Sequence, residues 1–306
     1  MGFRRRLAAL GLLALGAPSL ALAQTQRGST RGGTEQAGYL SFTFPAGWAR
    51  VDYPDGGIVY TGQIRDEVCT FSVLPLRPSS GDLLRDAIAV FSELFKTDPL
   101  THYPFPDPVL VRGTSPLGWS YAGLQKSLGH VGDEKRGIYV FVVGLGGRDA
   151  VLVTTSKRPL VSNCFGELVK DEWPPIFYSL RFQGWNGPSQ EKAVAQKLLG
   201  TWTLATGSVA GQFTFASNGR YGTTAAAQQR TLVAPNQVLA TTQAYSGDGA
   251  YAVKGNTLVF TEDRGNTRSG VAQFRVEQIS KDGQTWTDQF CMTKSDVPDV
   301  CYKRTR

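Results

Sequence analysis

Two histidines, His102 and His130, are all this chain holds for acid–base work by an unperturbed imidazole, and no Gly-x-Ser-x-Gly elbow exists for either to serve. Gly113-Thr114-Ser115-Pro116 has the wrong composition for one. The acidic pairs Asp66-Glu67 and Asp171-Glu172 are adjacent, so on a strand their side chains point to opposite faces and read as solvated charges. Glu262-Asp263-Arg264-Gly265-Asn266 carries an arginine and reads as a hairpin tip, not a calcium loop. The glycines at 144, 146 and 147 precede a strand-like run, where a nucleotide-binding turn requires a helix. No catalytic residue, metal or cofactor is therefore expected. An enzyme with a site outside known motifs, at the junction of the two blocks described below, stands as an alternative.

Long apolar runs and strong charge are also scarce. Beyond residue 23 no segment is apolar over a bilayer's width, so no transmembrane segment is expected after signal cleavage. The first 23 residues place Arg4, Arg5 and Arg6 before an apolar stretch that ends in Ala21-Leu22-Ala23, the pattern of a secretory signal cleaved before Gln24. Without it, 29 Lys and Arg face 25 Asp and Glu, a net charge of +4. So small a surplus, spread along the chain, gives no footprint for nucleic acid. The expected product is periplasmic or secreted.

All four cysteines, Cys69, Cys164, Cys291 and Cys301, follow the signal, and an even count in an exported chain reads as disulfides. Their spacings match no zinc pattern. Of three connectivities, the block boundary favours Cys69 with Cys164 and Cys291 with Cys301. The second pair closes nine intervening residues, worth about 2–3 kcal/mol in the chain-entropy model.

The remaining residues divide by texture. Residues 24–37 are polar and Gly-rich and read as a disordered leader. Residues 38–184 mix strand-like runs with an amphipathic helix: apolar positions recur at helical spacing from Leu83 to Phe95 behind Ser79-Ser80-Gly81-Asp82, which resembles a capping box. Residues 161–170 hold a second potential helix with Cys164, and 176–182 close the block. Residues 138–143 are apolar on both faces and read as a central strand covered on both sides. Residues 185–200 form a linker and a short helix ended by Gly200. From 201 to 306, about nine short alternating runs are separated by Asn-Gly, Asp-Gly and Gly-Asn turns, enough for an eight-strand up-and-down barrel.

Phe44-Pro45-Ala46-Gly47-Trp48, the order of elements after it and the closing Ser179-Leu180-Arg181-Phe182 resemble the PsbP-like superfamily. That resemblance implies an α/β/α sandwich with a mainly antiparallel sheet and a non-catalytic role, engaging an envelope protein partner. Gly200-x-Trp202 after a short helix, the Lys281-Asp282-Gly283 turn and Tyr302-Lys303-Arg304 resemble a small lipocalin-like domain. This implies a cation–π lid of Arg304 over Trp202. The expected fold is thus two domains, α+β followed by an all-β barrel. Strand parity sets Phe213 with Phe215, Leu258 with Phe260, Phe274 with Val276 and Trp286 with Phe290 on shared faces, and these rings with Trp202 and Tyr221 are the candidate barrel lining. Two readings of it stand: the rings fill the barrel, or they hold a small apolar ligand.

Overall fold

Residues 138–143 alternate between two buried faces in this computed structural model: Ile138, Val140 and Val142 enter one apolar cluster, Tyr139, Phe141 and Val143 another. The structure describes residues 25–27, 30–64, 67–100, 108–131, 134–156, 176–206, 209–234, 237–263, 269–294 and 297–305. The expected signal at 1–23, His102, Cys164 and the potential helix at 161–170 lie outside the described residues.

The first block opens with strands β1 (Thr25–Arg27), β2 (Arg31–Ala37), β3 (Leu40–Ala46), β4 (Ala49–Asp52) and β5 (Ile58–Ile64). Next come β6 (Glu67–Val73), β7 (Arg77–Pro78), helix α1 (Leu83–Phe95), β8 (Val109–Thr114) and β9 (Ser120–Val131). It closes with β10 (Glu134–Gly144), β11 (Arg148–Ser156), α2 (Ile176–Ser179) and β12 (Arg181–Phe182). The main sheet is antiparallel, in the order β1-β4-β5-β6-β11-β10-β9-β8, with β7 beside β11. The β10–β11 hairpin turns at Gly146 and Gly147, both at positive φ.

α1 covers one face of this sheet. Ala87, Val90 and Phe91 are buried against Leu124, Val140 and Val151, and burial of Phe91 alone is worth about 2–3 kcal/mol. Asp82 itself is the N-cap, accepting from the Leu84 and Arg85 N–H groups, so the cap lies three residues beyond the expected Ser79. The helix stops at Lys96, which takes the left-handed conformation and donates its N–H to the Ser92 carbonyl.

The opposite face corrects the expected α/β/α sandwich. Among the described residues it is covered by the three-stranded sheet β2-β3-β12 and the single turn of α2, so the molecule is mostly β. Residues 31–37, expected in a disordered leader, pair backbone to backbone with β3, and Ala37 is fully buried. Residues 176–182, which close the block, are the turn of α2 followed by the short β12. Between the sheets Phe42 packs edge to face on Phe44, Tyr60 and Phe71, as ring quadrupoles favour, while Phe44, Tyr60 and Phe71 meet one another at tilted angles.

The second block begins with helix α3 (Glu191–Leu198). Strands β13 (Gly200–Thr206), β14 (Val209–Phe215), β15 (Arg220–Ala234) and β16 (Gln237–Lys254) follow. The chain ends with β17 (Thr257–Glu262), β18 (Ser269–Ser280), β19 (Thr287–Lys294) and β20 (Val297–Arg304). Each pairs antiparallel with the next, and β13 closes on β20 through Trp202 opposite Arg304, giving a closed eight-strand barrel. The runs at 238–245 and 250–254 are one strand: residues 246–249, expected as a turn, continue the ladder with β15.

α3 stops one end of the barrel with buried Val194 and Leu198. Its last carbonyls, orphaned in any helix, are capped by two side chains. Trp202 Nε1 donates to the Leu198 carbonyl at 2.7 Å, and Arg304 donates to the carbonyls of Leu199, at 2.7 Å, and Lys197. Cys291 and Cys301, direct partners across β19 and β20, form a disulfide. The expected bond from Cys69 falls on Cys164, outside the described residues.

Candidate functional site

The two blocks are joined by a sheet. β8 pairs with β18 as well as β9, with Gly113 opposite both Tyr121 and Glu277. Lacking a side chain, Gly113 lets the Tyr121 ring lie flat across β8; a Cβ there would stand 2.5 Å from the phenolic oxygen. Tyr121 Oη then donates to Glu277 Oε2 at 3.1 Å. The other carboxylate oxygen of Glu277 accepts from Arg275 Nε at 3.0 Å and Gln289 Nε2 at 2.9 Å, so this acid, 5% exposed, is charge-paired and hydrogen-bonded as burial requires. Burial first, and then the nearby Glu277 charge, pushes the hydroxyls of Tyr121 and Tyr139 well above the ordinary tyrosine range. Arg275 also donates to Tyr178 Oη at 2.9 Å, and Asn256 Nδ2 to the Tyr178 carbonyl at 3.1 Å.

Beside this latch an open cleft of about 870 Å³ separates the blocks, a volume in the range of small-molecule sites. The first block supplies Gly81, Asp82, Leu83 and Leu84 at the start of α1, with residues 112–114 of β8 and 120–122 of β9. The second supplies Lys197, Val276, Glu277, Gln278, Gly283, Trp286, Asp288 and Arg304.

The turn before β19 fixes one wall. Asp282 Oδ1 accepts from the backbone N–H groups of Gln284 and Thr285, each at 2.8 Å, and from Ser280 Oγ at 2.9 Å. Those bonds, the Thr285 and Gln284 N–H groups first, hold its carboxyl down at about 2. Gly283 takes positive φ, and its carbonyl accepts from Trp286 Nε1 at 3.1 Å. The indole so placed carries the Arg112 guanidinium 4.0 Å above its ring, while Arg112 Nε donates to Gln278 Oε1 at 2.9 Å.

Of the eight rings read as a barrel lining, seven belong to one apolar cluster of the second block: Trp202, Phe213, Phe215, Tyr221, Phe260, Phe274 and Phe290. They touch one another, with centroids 4.9 Å apart for Tyr221 and Phe260, 5.4 Å for Phe215 and Phe290 and 5.9 Å for Trp202 and Phe290. Trp286 is not among them; it precedes β19 and lines the cleft. Arg304 Cζ lies 4.3 Å from the Trp202 ring centroid, and Arg304 Nε donates to Asp288 at 3.0 Å. His130 sits on β9. Sequence reasoning missed Arg112, Lys197 and Gln278, which no local motif marks, since the cleft is assembled from segments of both blocks far apart in the chain.

Comparison with protein-family models, with curated proteins and with solved structures finds no match for this chain. Fold and site define a predominantly β protein in which a helix-backed antiparallel sheet and a closed barrel are joined by the pairing of β8 with β18 and flank an open cleft. Among the described residues no helix is long and apolar enough to cross a membrane.

Proposed function

We propose that this chain is an exported, periplasmic or secreted, non-enzymatic binding protein whose ligand site is the junction cleft. The observation that carries the reading is that the acids lining the cleft are committed to its walls. Asp82 caps α1, Glu277 serves Tyr121, Arg275 and Gln289, and Asp288 accepts from Gln278 and Arg304. A cleft whose carboxylates are spent on architecture is built to hold a ligand, not to move protons. Export is supported by the pattern of residues 1–23 and by the Cys291–Cys301 disulfide.

The test is native mass spectrometry of the protein purified from its own envelope, beside two variants. Ser120→Trp fills the cleft from an exposed position, and Phe213→Ala opens the barrel interior. The expected result is a co-purifying mass lost with Ser120→Trp and kept with Phe213→Ala. The reverse pattern transfers the ligand to the barrel and makes the chain a carrier of a small apolar molecule. A co-purifying protein in place of a small mass returns the role to a protein partner.

A further inference from the structure

We propose that the cleft takes an amphipathic anion, a carboxylate or phosphate head on an apolar body. Arg112 and Lys197 bind the head, and Trp286, Leu83 and Leu84 form the apolar wall. The proposal rests on reading the cleft as a binding site and adds the chemistry of its occupant.

Charge accounting gives the sign. Arg304, like the acids of the cleft, is committed: it donates to Asp288 and to two carbonyls of the α3 terminus. Among the described residues Lys197 Nζ has no hydrogen-bond or ion-pair partner, and the terminal nitrogens of Arg112 have none either. The charge left to meet a ligand is therefore positive, and a cationic ligand finds no uncommitted carboxylate here.

Geometry gives the head group. A guanidinium presents a planar fork that matches the paired oxygens of a carboxylate or phosphate. That fork is already oriented, since Arg112 is stacked on Trp286 and tied by Nε to Gln278. Trp286 is itself pinned by the turn that Asp282 organises. Little side-chain freedom remains to be lost when the anion arrives, so the bidentate contact adds to affinity nearly in full. The partly buried Leu83 and Leu84 beside Trp286 offer an apolar body the contact that water does not.

Calorimetric titration of the full mature chain tests this with decanoate, decyl phosphate, decanol, decyltrimethylammonium and inorganic phosphate, each below its aggregation limit. Decanoate and decyl phosphate are expected to bind at least about tenfold more tightly than decanol or decyltrimethylammonium, and decyl phosphate at least about a hundredfold more tightly than inorganic phosphate. Arg112→Gln should weaken both amphipathic anions about tenfold and leave decanol unchanged, decanol serving as the control for an intact cleft. Arg112→Lys, which keeps the charge without the fork, should fall between.

Decanol or the cationic probe binding as well as decanoate, and still blocked by Ser120→Trp, overturns the anion and leaves the cleft reading standing. Anion binding that survives Ser120→Trp overturns both, because the anion then sits elsewhere. Equal affinity for inorganic and decyl phosphate overturns the apolar wall.

Discussion

Tyr121 Oη reaches Glu277 Oε2, 156 positions away in sequence, only because Gly113 stands between them on β8. The three residues lie in register across β9, β8 and β18, and the middle one has nothing to obstruct the ring. Tyr121→Phe removes the donor and leaves a buried carboxylate oxygen unserved, at an expected cost of about 1–3 kcal/mol. Gly113→Ala places a methyl 2.5 Å from the phenolic oxygen and should lose the same bond and displace the ring as well. Urea unfolding should therefore rank wild type above Tyr121→Phe, and Tyr121→Phe above Gly113→Ala. Equal midpoints for wild type and Tyr121→Phe would remove the latch from the energetics.

Asp149 gives the molecule a pH dependence of definite sign. Its carboxylate lies close to Ser79 and Asp86 at the start of α1, the residue is 1% exposed, and neither oxygen makes a hydrogen bond of good geometry to a described residue. Burial, followed by the neighbouring Asp86 carboxyl, holds its pKa up at about 6, against the partial opposition of the Ser79 hydroxyl and then the Arg77 charge. Between about pH 4 and 6 the folded chain keeps a proton that the unfolded chain has released, so stability is full below that window and falls as pH rises through it. The Asp86 carboxyl is raised by burial but brought down overall by bonds from Ser80, so its contribution is lost only at lower pH. Asp149→Asn should match wild type near pH 4 and melt a few degrees higher at pH 7. Melting curves that differ by the same amount at both pH values would contradict the assignment.

The barrel was legible in sequence because its strands alternate apolar and polar residues and its tips carry hairpin dipeptides such as Asn218-Gly219. The cover sheet was not, because residues 31–37 enter it through backbone hydrogen bonds and bring almost no apolar side chains to signal burial. Trp286 was assigned to the barrel by parity with Phe290, but parity holds only within a strand, and β19 starts one residue later. The cleft was invisible for a different reason. Arg112 and Trp286 are 174 positions apart, and only the pairing of β8 with β18 brings them together.

The Cys291–Cys301 bond sits beside the seam where β20 closes on β13, so its loss should loosen the closure of the barrel. Replacing both cysteines by serine should cost about 2–3 kcal/mol by the entropy of the short loop it ties. Hydrogen exchange should then quicken first at the short β13–β20 contact, where Trp202 stands opposite Arg304 and Thr203 opposite Lys303. Uniform quickening over both blocks would mean that the disulfide acts on global stability, not on the seam.

Gly249 and Gly222 lie on the two strands of one hairpin and should respond in opposite ways to the same substitution. Residues 246–249, Ser-Gly-Asp-Gly, have the composition of a turn, yet they continue β16 in register with β15. The glycine at 249 is needed because β17 comes close: an added Cβ would stand 2.0 Å from the Thr261 carbonyl oxygen. That oxygen belongs to backbone held in the ladder and cannot move aside cheaply. At Gly222 an added Cβ meets nothing within 4 Å, and β-bonded backbone there tolerates any side chain. Gly249→Ala should therefore destabilise the barrel by about 2 kcal/mol or more, by forcing two strands apart. Gly222→Ala should be neutral or stabilising by about 0.5 kcal/mol, through the lower entropy of the unfolded chain. Thermal melts of the two variants decide the point. A harmless Gly249→Ala would mean that residues 246–249 form a turn after all and that β16 is two strands.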